Sequence, residues 1–218
     1  MKDIKLVAFD MDGTVLNTLR DLTDSINHVL LAHGFPSRTP DEVRQFVGNG
    51  ARKLVERAVM EESGSSESSS LIDTLLAEFR EYYHEHSAIH TSPYPGIPEL
   101  LTRLREAGIA TAVVSNKPDA ATRLLAEKFF PGLFDIAIGE REGLTRKPAP
   151  DMLEYVMRKI GVTAAETLYV GDSDVDIETA RAAGVSCRSV TWGFRDEEFL
   201  IEHGATRLIR DPSELTEM

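Results

Sequence analysis

The sequence predicts an α/β fold in which a parallel β-sheet carries a helical insert after its first strand. Three observations lead to this prediction. Strand-sized apolar runs alternate with stretches of helical period. The first run is followed by about 70 residues of helical pattern without a second strand-like run. The chain has 218 residues, which is enough for a large core and a smaller companion domain.

Composition and charge exclude several classes of protein. With 24 Lys and Arg against 36 Asp and Glu, the formal net charge is −12, which disfavours binding to nucleic acids or to anionic membrane surfaces. No window approaches the ~20 apolar residues of a membrane span. The single Cys187 cannot form an intrachain disulfide, and Asp3, Asp10 and Asp12 interrupt the apolar stretch that a signal peptide would need. We therefore expect a cytoplasmic protein.

The strands of the sheet are predicted from short runs rich in Val, Ile and Phe. These runs are Ile4–Phe9, Ile109–Val114, Phe134–Ile138, Thr167–Val170 and Val185–Val190. Between them, residues 98–107 and 150–160 place apolar side chains three and four positions apart. This spacing gives each helix one apolar face, which we expect to cover the sheet.

Residues 18–88 are predicted to form the helical insert. Thr18 to Asp21 and Thr39 to Glu42 have the residue types that begin helices, and Gly48 is expected to end the second helix. Two further helices are predicted over 51–60 and 71–83. The serine-rich run Ser63–Ser70 between them has almost no apolar side chain to bury, and it is interpreted as a surface turn.

Two acidic residues follow the first predicted strand. Asp10 and Asp12 are two positions apart, so their side chains project to the same side at the carboxyl end of that strand, where open α/β sheets bind ligands. Two close carboxylates are expected either to share a divalent cation or to include one protonated general acid. Gly13 permits a tight turn, and Thr14 adds a hydroxyl group.

Polar residues also follow the other predicted strands. Ser115 and Asn116 come after the second strand, where a hydroxyl and backbone amides can bind phosphate. Lys147 precedes a helix and can neutralise an anion. An acidic loop that contains Asp172 and Asp176 follows a later strand and suits Mg²⁺, a hard cation that prefers oxygen ligands. Acid pair, hydroxyl, lysine and acid cluster thus follow one another in order along the chain.

These four motifs resemble those of the haloacid dehalogenase superfamily. They are Asp10-Met-Asp-Gly-Thr14, Ser115, Lys147 and Gly171-Asp-Ser-Asp-Val-Asp176. The resemblance implies a Rossmann-like parallel-sheet core of residues 1–14 and 89–218, with an inserted α-helical cap of residues 15–88. Further motifs resemble the phosphoglycolate phosphatase branch. They are Val47-Gly-Asn-Gly-Ala51, Tyr94-Pro-Gly96, Asn116-Lys-Pro118 and Thr191-Trp-Gly193.

The resemblance also implies a mechanism and a set of roles. Asp10 is the expected nucleophile, which forms an aspartyl phosphate, and Asp12 is the expected general acid and base. Lys147 and Ser115 complete the catalytic group. The expected Mg²⁺ ligands are Asp10, the Asp12 carbonyl, Asp172 and Asp176, the last directly or from a second layer. The presence of Asp12 favours a phosphatase, since dehalogenases of the superfamily lack this second acid.

The residues expected to bind substrate lie in both predicted parts of the chain. Thr14 and Asn116 belong to the core motifs. In the cap, the loop over Gly48, Asn49 and Gly50 is expected to lie above the active site, although the two glycines can equally be explained as helix ends. The resemblance makes 2-phosphoglycolate the first guess for the substrate. Its carboxylate needs a donor, which could be the loop amides, Arg52 or Lys53, and Arg52 is preferred because its planar guanidinium can form two parallel hydrogen bonds to a carboxylate.

Three departures from the branch pattern stand beside this resemblance. Asn17-Thr18 and Ser115 replace Asp-Ser and Thr, changes that leave the chemistry intact. Gly139-Glu140 shortens a Gly-Gly-Asp stretch, which weakens the substrate assignment.

Several alternatives stay open from the sequence. An inorganic pyrophosphatase, a nucleotide or sugar-phosphate phosphatase and a phosphosugar mutase share the same core motifs. A phosphoaccepting receiver domain also has an α/β sheet with acids, a hydroxyl and a lysine, but it lacks a long helical insert. The expected partner is a small phosphorylated metabolite, and the chain is expected to be a monomer or a homodimer.

Overall fold

A computed structural model describes residues 3–63 and 68–215 of the chain, with side chains given outside residues 61–67. The chain divides into two compact units, Met1–Asn17 with Pro93–Met218, and Thr18–Ser92. Compared with the predicted boundaries, residues 15–17 lie in the first unit and residues 89–92 in the second. We call the first the α/β unit and the second the helical unit.

A six-stranded parallel sheet forms the centre of the α/β unit. Its strands are β1 (Leu6–Phe9), β4 (Ala110–Pro118), β5 (Ile136–Glu140), β6 (Thr167–Gly171), β7 (Ser186–Val190) and β8 (Leu208–Ile209). They are arranged in the order β5-β4-β1-β6-β7-β8, and every neighbouring pair is parallel. Two short strands, β2 (Leu16–Asn17) and β3 (Ser92–Pro93), pair in a separate sheet. The predicted α/β class is confirmed.

Helices cover the sheet because its central strands are apolar on both sides. All four residues of β1 are buried, as a parallel strand between two helical layers requires. Leu6 and Ala8 pack in one cluster with Leu153 and Val156 of a covering helix. The helices of this unit are α5 (Ile97–Glu106), α6 (Asp119–Phe129), α7 (Asp151–Ile160), α8 (Asp174–Ala182) and α9 (Glu197–Glu202).

The helical unit contains α1 (Leu19–Ala32), α2 (Pro40–Phe46), α3 (Ala51–Ser63) and α4 (Ser69–His86). Its core is a cluster of apolar side chains from all four helices, centred on residues such as Ile26, Val55 and Leu75. The predicted start of α2 is confirmed, because Thr39 and Glu42 form a reciprocal capping box. Of the serine-rich turn, Ser69 and Ser70 begin α4, and residues 64–67 lie outside the described residues.

Some local predictions need correction. Asp21 does not cap α1; its carboxylate instead accepts hydrogen bonds from the backbone N–H groups of Ile89, His90 and Thr91. The charged stretch 196–203 and the tail after Asp211 would be assigned to the surface from their sequence alone. Leu200 of α9 and Leu215 near the end of the chain are nevertheless almost fully buried.

Over the part of the chain that is described, no helix has the length and apolar character needed to cross a bilayer.

Candidate active site

The central strands bring three of the predicted motifs to one edge of the sheet. Strand β1 lies between β4 and β6, and Phe9 is in register with Val113 on one side and Val170 on the other. Because all three strands run in the same direction, Asp10 and Asp172, which directly follow β1 and β6, lie at the same edge as Ser115 in the last part of β4. This is the edge at which open parallel sheets bind ligands.

Lys147 is the centre of a buried ion-pair network at this edge. Its Nζ lies 2.9 Å from Asp10 Oδ1 and 2.7 Å from Asp176 Oδ1, and its side chain is 2% exposed. The same Nζ donates a hydrogen bond to the Tyr169 hydroxyl at 3.0 Å. Burial alone would lower the pKa of Lys147, but Asp10 and Asp176 outweigh it and raise the pKa well above its ordinary value. Lys147 is therefore a cation at neutral pH.

Asp176 is completely buried, and its carboxylate accepts hydrogen bonds from several donors. Its Oδ1 accepts from Lys147 and lies 3.2 Å from the Tyr169 hydroxyl. Its Oδ2 accepts from the backbone N–H groups of Asp172 and Ser173 and from the Ser173 hydroxyl. With its oxygens used in this way, Asp176 is well placed to orient Lys147 and the start of α8.

Asp172 is fixed by two other segments of the α/β unit. Its Oδ1 accepts from the Thr14 hydroxyl at 3.0 Å, and its Oδ2 accepts from the Phe194 backbone N–H at 2.7 Å. Gly13 has a positive φ of 85°, and a Cβ at this position would lie 2.3 Å from Asp172 Oδ2. The turn after β1 therefore approaches Asp172 as closely as only a glycine allows.

Burial raises the pKa values of both neighbouring acids. It raises the pKa of Asp10 to about 7, an effect that Lys147 opposes and that Asp176 and Asp12 increase. It raises the pKa of Asp172 to about 8, and the charges of Asp176 and Asp10 add to this shift. Several acids thus lie so close together that a further positive charge would stabilise their ionised forms.

Asp12 has a partner that was not predicted. Lys117 Nζ lies 3.0 Å from Asp12 Oδ2, and the side chains are 2% and 13% exposed respectively. Lys117 lies two residues beyond Ser115, near the end of β4. The two acids of the first motif are therefore paired with different lysines.

The other predicted core residues have partners within the site. The side chain of Asn116 forms two hydrogen bonds with the backbone of Lys147. Asn116 Nδ2 donates to the Lys147 carbonyl oxygen at 2.9 Å, and Asn116 Oδ1 accepts from the Lys147 N–H at 2.8 Å. The Thr14 hydroxyl donates a hydrogen bond to Asp172, and the Ser115 hydroxyl accepts one from the Lys117 N–H at 3.3 Å. Asn116 and Thr14 thus orient site residues, and substrate contact by either of them stays a prediction.

The cluster fits a divalent cation. Asp10, Asp172 and Asp176 can each offer an oxygen, and these atoms lie within 4.8 Å of one another. Asp10 Oδ1 is buried and accepts no aligned hydrogen bond, although Lys147 is close to it. A buried carboxylate oxygen with spare lone pairs is a ligand that Mg²⁺ prefers.

The predicted cap residues lie in the helical unit. Gly48 and Gly50 have positive φ values of 118° and 86° in the loop between α2 and α3. Between them, the Asn49 side-chain oxygen accepts from Arg57 at 2.8 Å. Arg52 forms ion pairs with Asp73 and with Glu56. Its charge is therefore partly balanced within its own unit.

Sequence reasoning missed several residues that build this site. In the sequence, Lys117 stands out only as part of a motif, Tyr169 is marked only as a strand residue, and Phe194 carries no signal. Trp192, which donates from Nε1 to the Thr14 carbonyl at 3.0 Å, was noted only for its resemblance. A lysine directly after an apolar strand was the one available signal, since the other contacts depend on the register between distant segments.

Comparisons with known proteins identify the family of this chain. A family model of haloacid dehalogenase-like hydrolases matches residues 7–190. Phosphoglycolate phosphatase 1 of Pseudomonas aeruginosa is 36% identical over 209 residues, which cover 94% of this chain and 76% of the relative. The phosphoglycolate phosphatase of Aliivibrio fischeri is 34% identical over 200 residues, which cover 90% and 88%.

A solved structure matches the whole fold. It is the crystal structure of a candidate phosphoglycolate phosphatase from Lactobacillus delbrueckii subsp. bulgaricus, which is 39% identical. The TM-score is 0.94, with 99% of this chain and 98% of that chain covered. The family-model match contains all four core motifs, from Asp10 to Asp176. The chain therefore belongs to the haloacid dehalogenase-like hydrolase family.

Proposed function

We propose that this protein is a Mg²⁺-dependent phosphatase that hydrolyses a small phosphomonoester through an aspartyl phosphate, with 2-phosphoglycolate as the preferred substrate. One observation carries the proposal. Two acids at the end of one strand, Asp10 and Asp12, are each paired with a buried lysine of their own. Such separate environments suit two carboxyl groups with different tasks in one reaction.

In the first step, Asp10 attacks phosphorus and the bond from phosphorus to the ester oxygen breaks. Asp12 donates a proton to that leaving oxygen, which departs as an alcohol. In the second step, water attacks the aspartyl phosphate and gives its proton to Asp12. Inorganic phosphate leaves, and Asp10 is again a carboxylate.

The charged groups around Asp10 support this reaction. Lys147 is a fixed cation beside the Asp10 carboxyl, where it can stabilise the phosphoryl oxygens, and Asp176 keeps it in place. Ser115, which is buried in the last part of β4, offers a hydroxyl to the phosphoryl group. Asp10, Asp172 and the Asp12 carbonyl would hold Mg²⁺, which when bound supplies positive charge for the phosphoryl oxygens. Asp176 is proposed as a second-layer residue or a weaker ligand.

The substrate assignment is supported by the names of the relatives rather than by a contact within this chain. A phosphoglycolate carboxylate needs a cationic partner, for which Arg52 remains our candidate within the helical unit. Its ion pairs with Asp73 and Glu56 mean that a carboxylate would have to compete for it. We further propose that the helical unit acts as a cap and that the enzyme works in the cytoplasm, where it meets small phosphorylated metabolites.

The test is a panel of phosphate compounds with the purified protein and Mg²⁺. The panel compares phosphoglycolate, pyrophosphate, a nucleoside monophosphate, a hexose phosphate and an aryl phosphate by phosphate release. We expect turnover of phosphomonoesters, with the highest kcat/KM for phosphoglycolate. EDTA should stop it, and added Mg²⁺ should restore it.

Two results would contradict the proposal. Activity that EDTA leaves unchanged would remove the metal from the mechanism. Phosphorylated protein that accumulates without release of phosphate would instead favour a receiver-like role.

A further inference from the structure

The mechanism described so far gives the side chain of Lys117 no task of its own in either chemical step. We propose that Lys117 is a positioning residue, which holds the Asp12 carboxyl group by its Oδ2 atom and so assigns Oδ1 to proton transfer. This inference rests on the proposed phosphatase function, in which Asp12 is the general acid and base. It concerns the orientation of Asp12 during both chemical steps.

The backbone of Lys117 is held from three sides. Its N–H donates to the Ser115 hydroxyl at 3.3 Å, and its carbonyl oxygen accepts from the Thr122 hydroxyl at 3.3 Å. On strand β5, a Cβ added to Gly139 would lie 2.4 Å from that carbonyl oxygen. The starting point of the lysine side chain is therefore fixed by β4, α6 and β5 together.

The side chain of Lys117 is as buried as that of Lys147, at 2% exposure in both cases. Burying an ammonium group disfavours folding unless the charge is paired. Ordering the long lysine side chain costs conformational entropy in addition. At 3.0 Å from Asp12 Oδ2, the Nζ forms such a pair inside the catalytic edge of the sheet. A lysine that only linked surface elements would not need a buried side chain.

Proton transfer demands a fixed donor, since small misplacements of a catalytic group slow a reaction strongly. If Lys117 keeps its hydrogen bond to Oδ2, the Asp12 Oδ1–H can give its proton to the leaving oxygen in the first step. In the second step, the Oδ1 atom takes the proton from the attacking water. Lys117 neither gains nor loses a proton in either step, so it acts through Asp12.

The test compares Lys117→Met, Asp12→Ala and the double variant in a mutant cycle on kcat. We expect Lys117→Met to lower kcat by about 10- to 100-fold, a part of the general-acid contribution. The double variant should be no slower than Asp12→Ala alone, because residues that act as one unit are not additive. Lys5→Met, which removes an exposed lysine paired with Glu166, is the matched control and should keep wild-type kcat.

An aryl phosphate separates the two steps. Its leaving group needs little protonation, so in Lys117→Met the first step should stay fast and the hydrolysis of the aspartyl phosphate should become slow. We therefore expect a burst of about one phenol per enzyme in rapid mixing, followed by slow turnover. A purely structural defect would lower the burst amplitude instead.

Three results would overturn the inference. They are an unchanged kcat in Lys117→Met, losses that multiply in the double variant, and a loss confined to the KM for phosphoglycolate, which would make Lys117 a substrate-binding residue. If Lys117→Met fails to fold, Asp12→Ala and the double variant, which lacks both buried charges, still give the comparison. Then equal kcat values support the inference, and a slower double variant contradicts it.

The proposed function fails in a different way. If the wild-type protein hydrolyses no phosphomonoester, or if Asp12→Ala is as active as wild type, the function or the role of Asp12 is wrong. If the wild-type protein and Asp12→Ala behave as proposed but Lys117→Met keeps the wild-type kcat, only the inference about Lys117 is wrong.

Discussion

The sheet edge of the α/β unit and the surface of the helical unit use charged residues in different ways. At the sheet edge of the α/β unit, Lys147 and Asp176 are almost fully inaccessible and hydrogen-bonded to each other. In the helical unit the buried interior is mainly apolar, and pairs such as Lys53 with Glu56 lie on the surface. Buried pairs fix the positions of charges, whereas surface pairs contribute little energy. The charges at the sheet edge are therefore held in fixed positions, whereas a surface pair of the helical unit can be removed at small cost.

The largest effect is expected from a change in the buried charge network of the α/β unit. Asp10→Asn removes the proposed nucleophile but keeps the shape of the side chain. Turnover of every phosphomonoester should fall to background, a loss on the order of 10⁴-fold or more. The measurement is phosphate release by protein that mass spectrometry shows to be free of deamidation. If kcat stays near wild type, the nucleophile lies elsewhere.

The second prediction separates the two acids of the first motif. Asp12→Ala should lower kcat by about 10²- to 10⁴-fold, the usual contribution of a general acid or base. Mg²⁺ affinity, measured by titration calorimetry, should change far less, because only the backbone carbonyl of Asp12 is proposed to face the metal. A loss confined to metal affinity would contradict the acid–base role.

The third prediction compares a buried pair with an exposed pair. Lys147→Ala leaves Asp10 and Asp176 without their shared cation, and it should destabilise the fold by about 3–5 kcal/mol as well as lower kcat strongly. Lys53→Ala removes an exposed partner of Glu56 in the helical unit and should cost about 0–1 kcal/mol. Chemical denaturation of both variants gives the two values. Equal losses would remove the contrast between the units.

The fourth prediction uses the raised pKa values of the acid cluster. Because the folded-state pKa values of Asp10, about 7, and Asp172, about 8, lie above the ordinary 3.8, the stability they contribute is greatest in acid and is lost as pH rises through 7 to 8. A bound cation offsets this loss.

Mg²⁺ should therefore raise the Tm more at about pH 8.5 than at about pH 6, with each kcal/mol of stabilisation worth about 2–4 °C. Calorimetric scans with and without Mg²⁺ at both pH values test this, and Asp172→Asn is the control that should reduce the effect. A larger shift in acid would contradict the assignment of these acids as ligands.

The smallest expected effect lies in the helical unit. Arg52→Ala should lower kcat/KM for phosphoglycolate by about tenfold, since Arg52 already shares its charge with Asp73 and Glu56. It should change kcat/KM for an aryl phosphate much less. Arg20→Ala, which removes an exposed arginine paired with Asp24 in the same unit, is the matched control. Equal effects on the two substrates would remove Arg52 from the specificity argument.

The fold was largely predictable because its signals are local. The apolar runs that form β1 and β6 are short, and each ends at an acidic motif that the sequence displays directly. The end of β4 was placed too early, at Val114, because Ser115, Asn116 and Lys117 are polar although the strand continues to Pro118. Hydropathy cannot identify buried polar residues at the end of a strand.

The site was predictable in its residues and less so in its contacts. Asp10, Lys147 and Asp172 follow from spacing and resemblance. The contact of Lys147 with Tyr169 and that of Asp172 with the Phe194 N–H join segments that are far apart in the chain. They depend on which strands are neighbours, and one sequence without that topology gives no such information.

The single thiol of this chain has a practical consequence. Cys187 lies on β7 with intermediate exposure, and burial raises the pKa of its thiol to about 12, so that little of it is thiolate at neutral pH. Maleimide dyes and spin labels react with thiolates and should therefore modify it slowly. Cysteines introduced at exposed Lys5 and at exposed Leu31 could then carry a fluorescent donor and acceptor, one in each unit, with the native thiol left in place. Energy transfer between them would report the distance between the two units in solution during turnover.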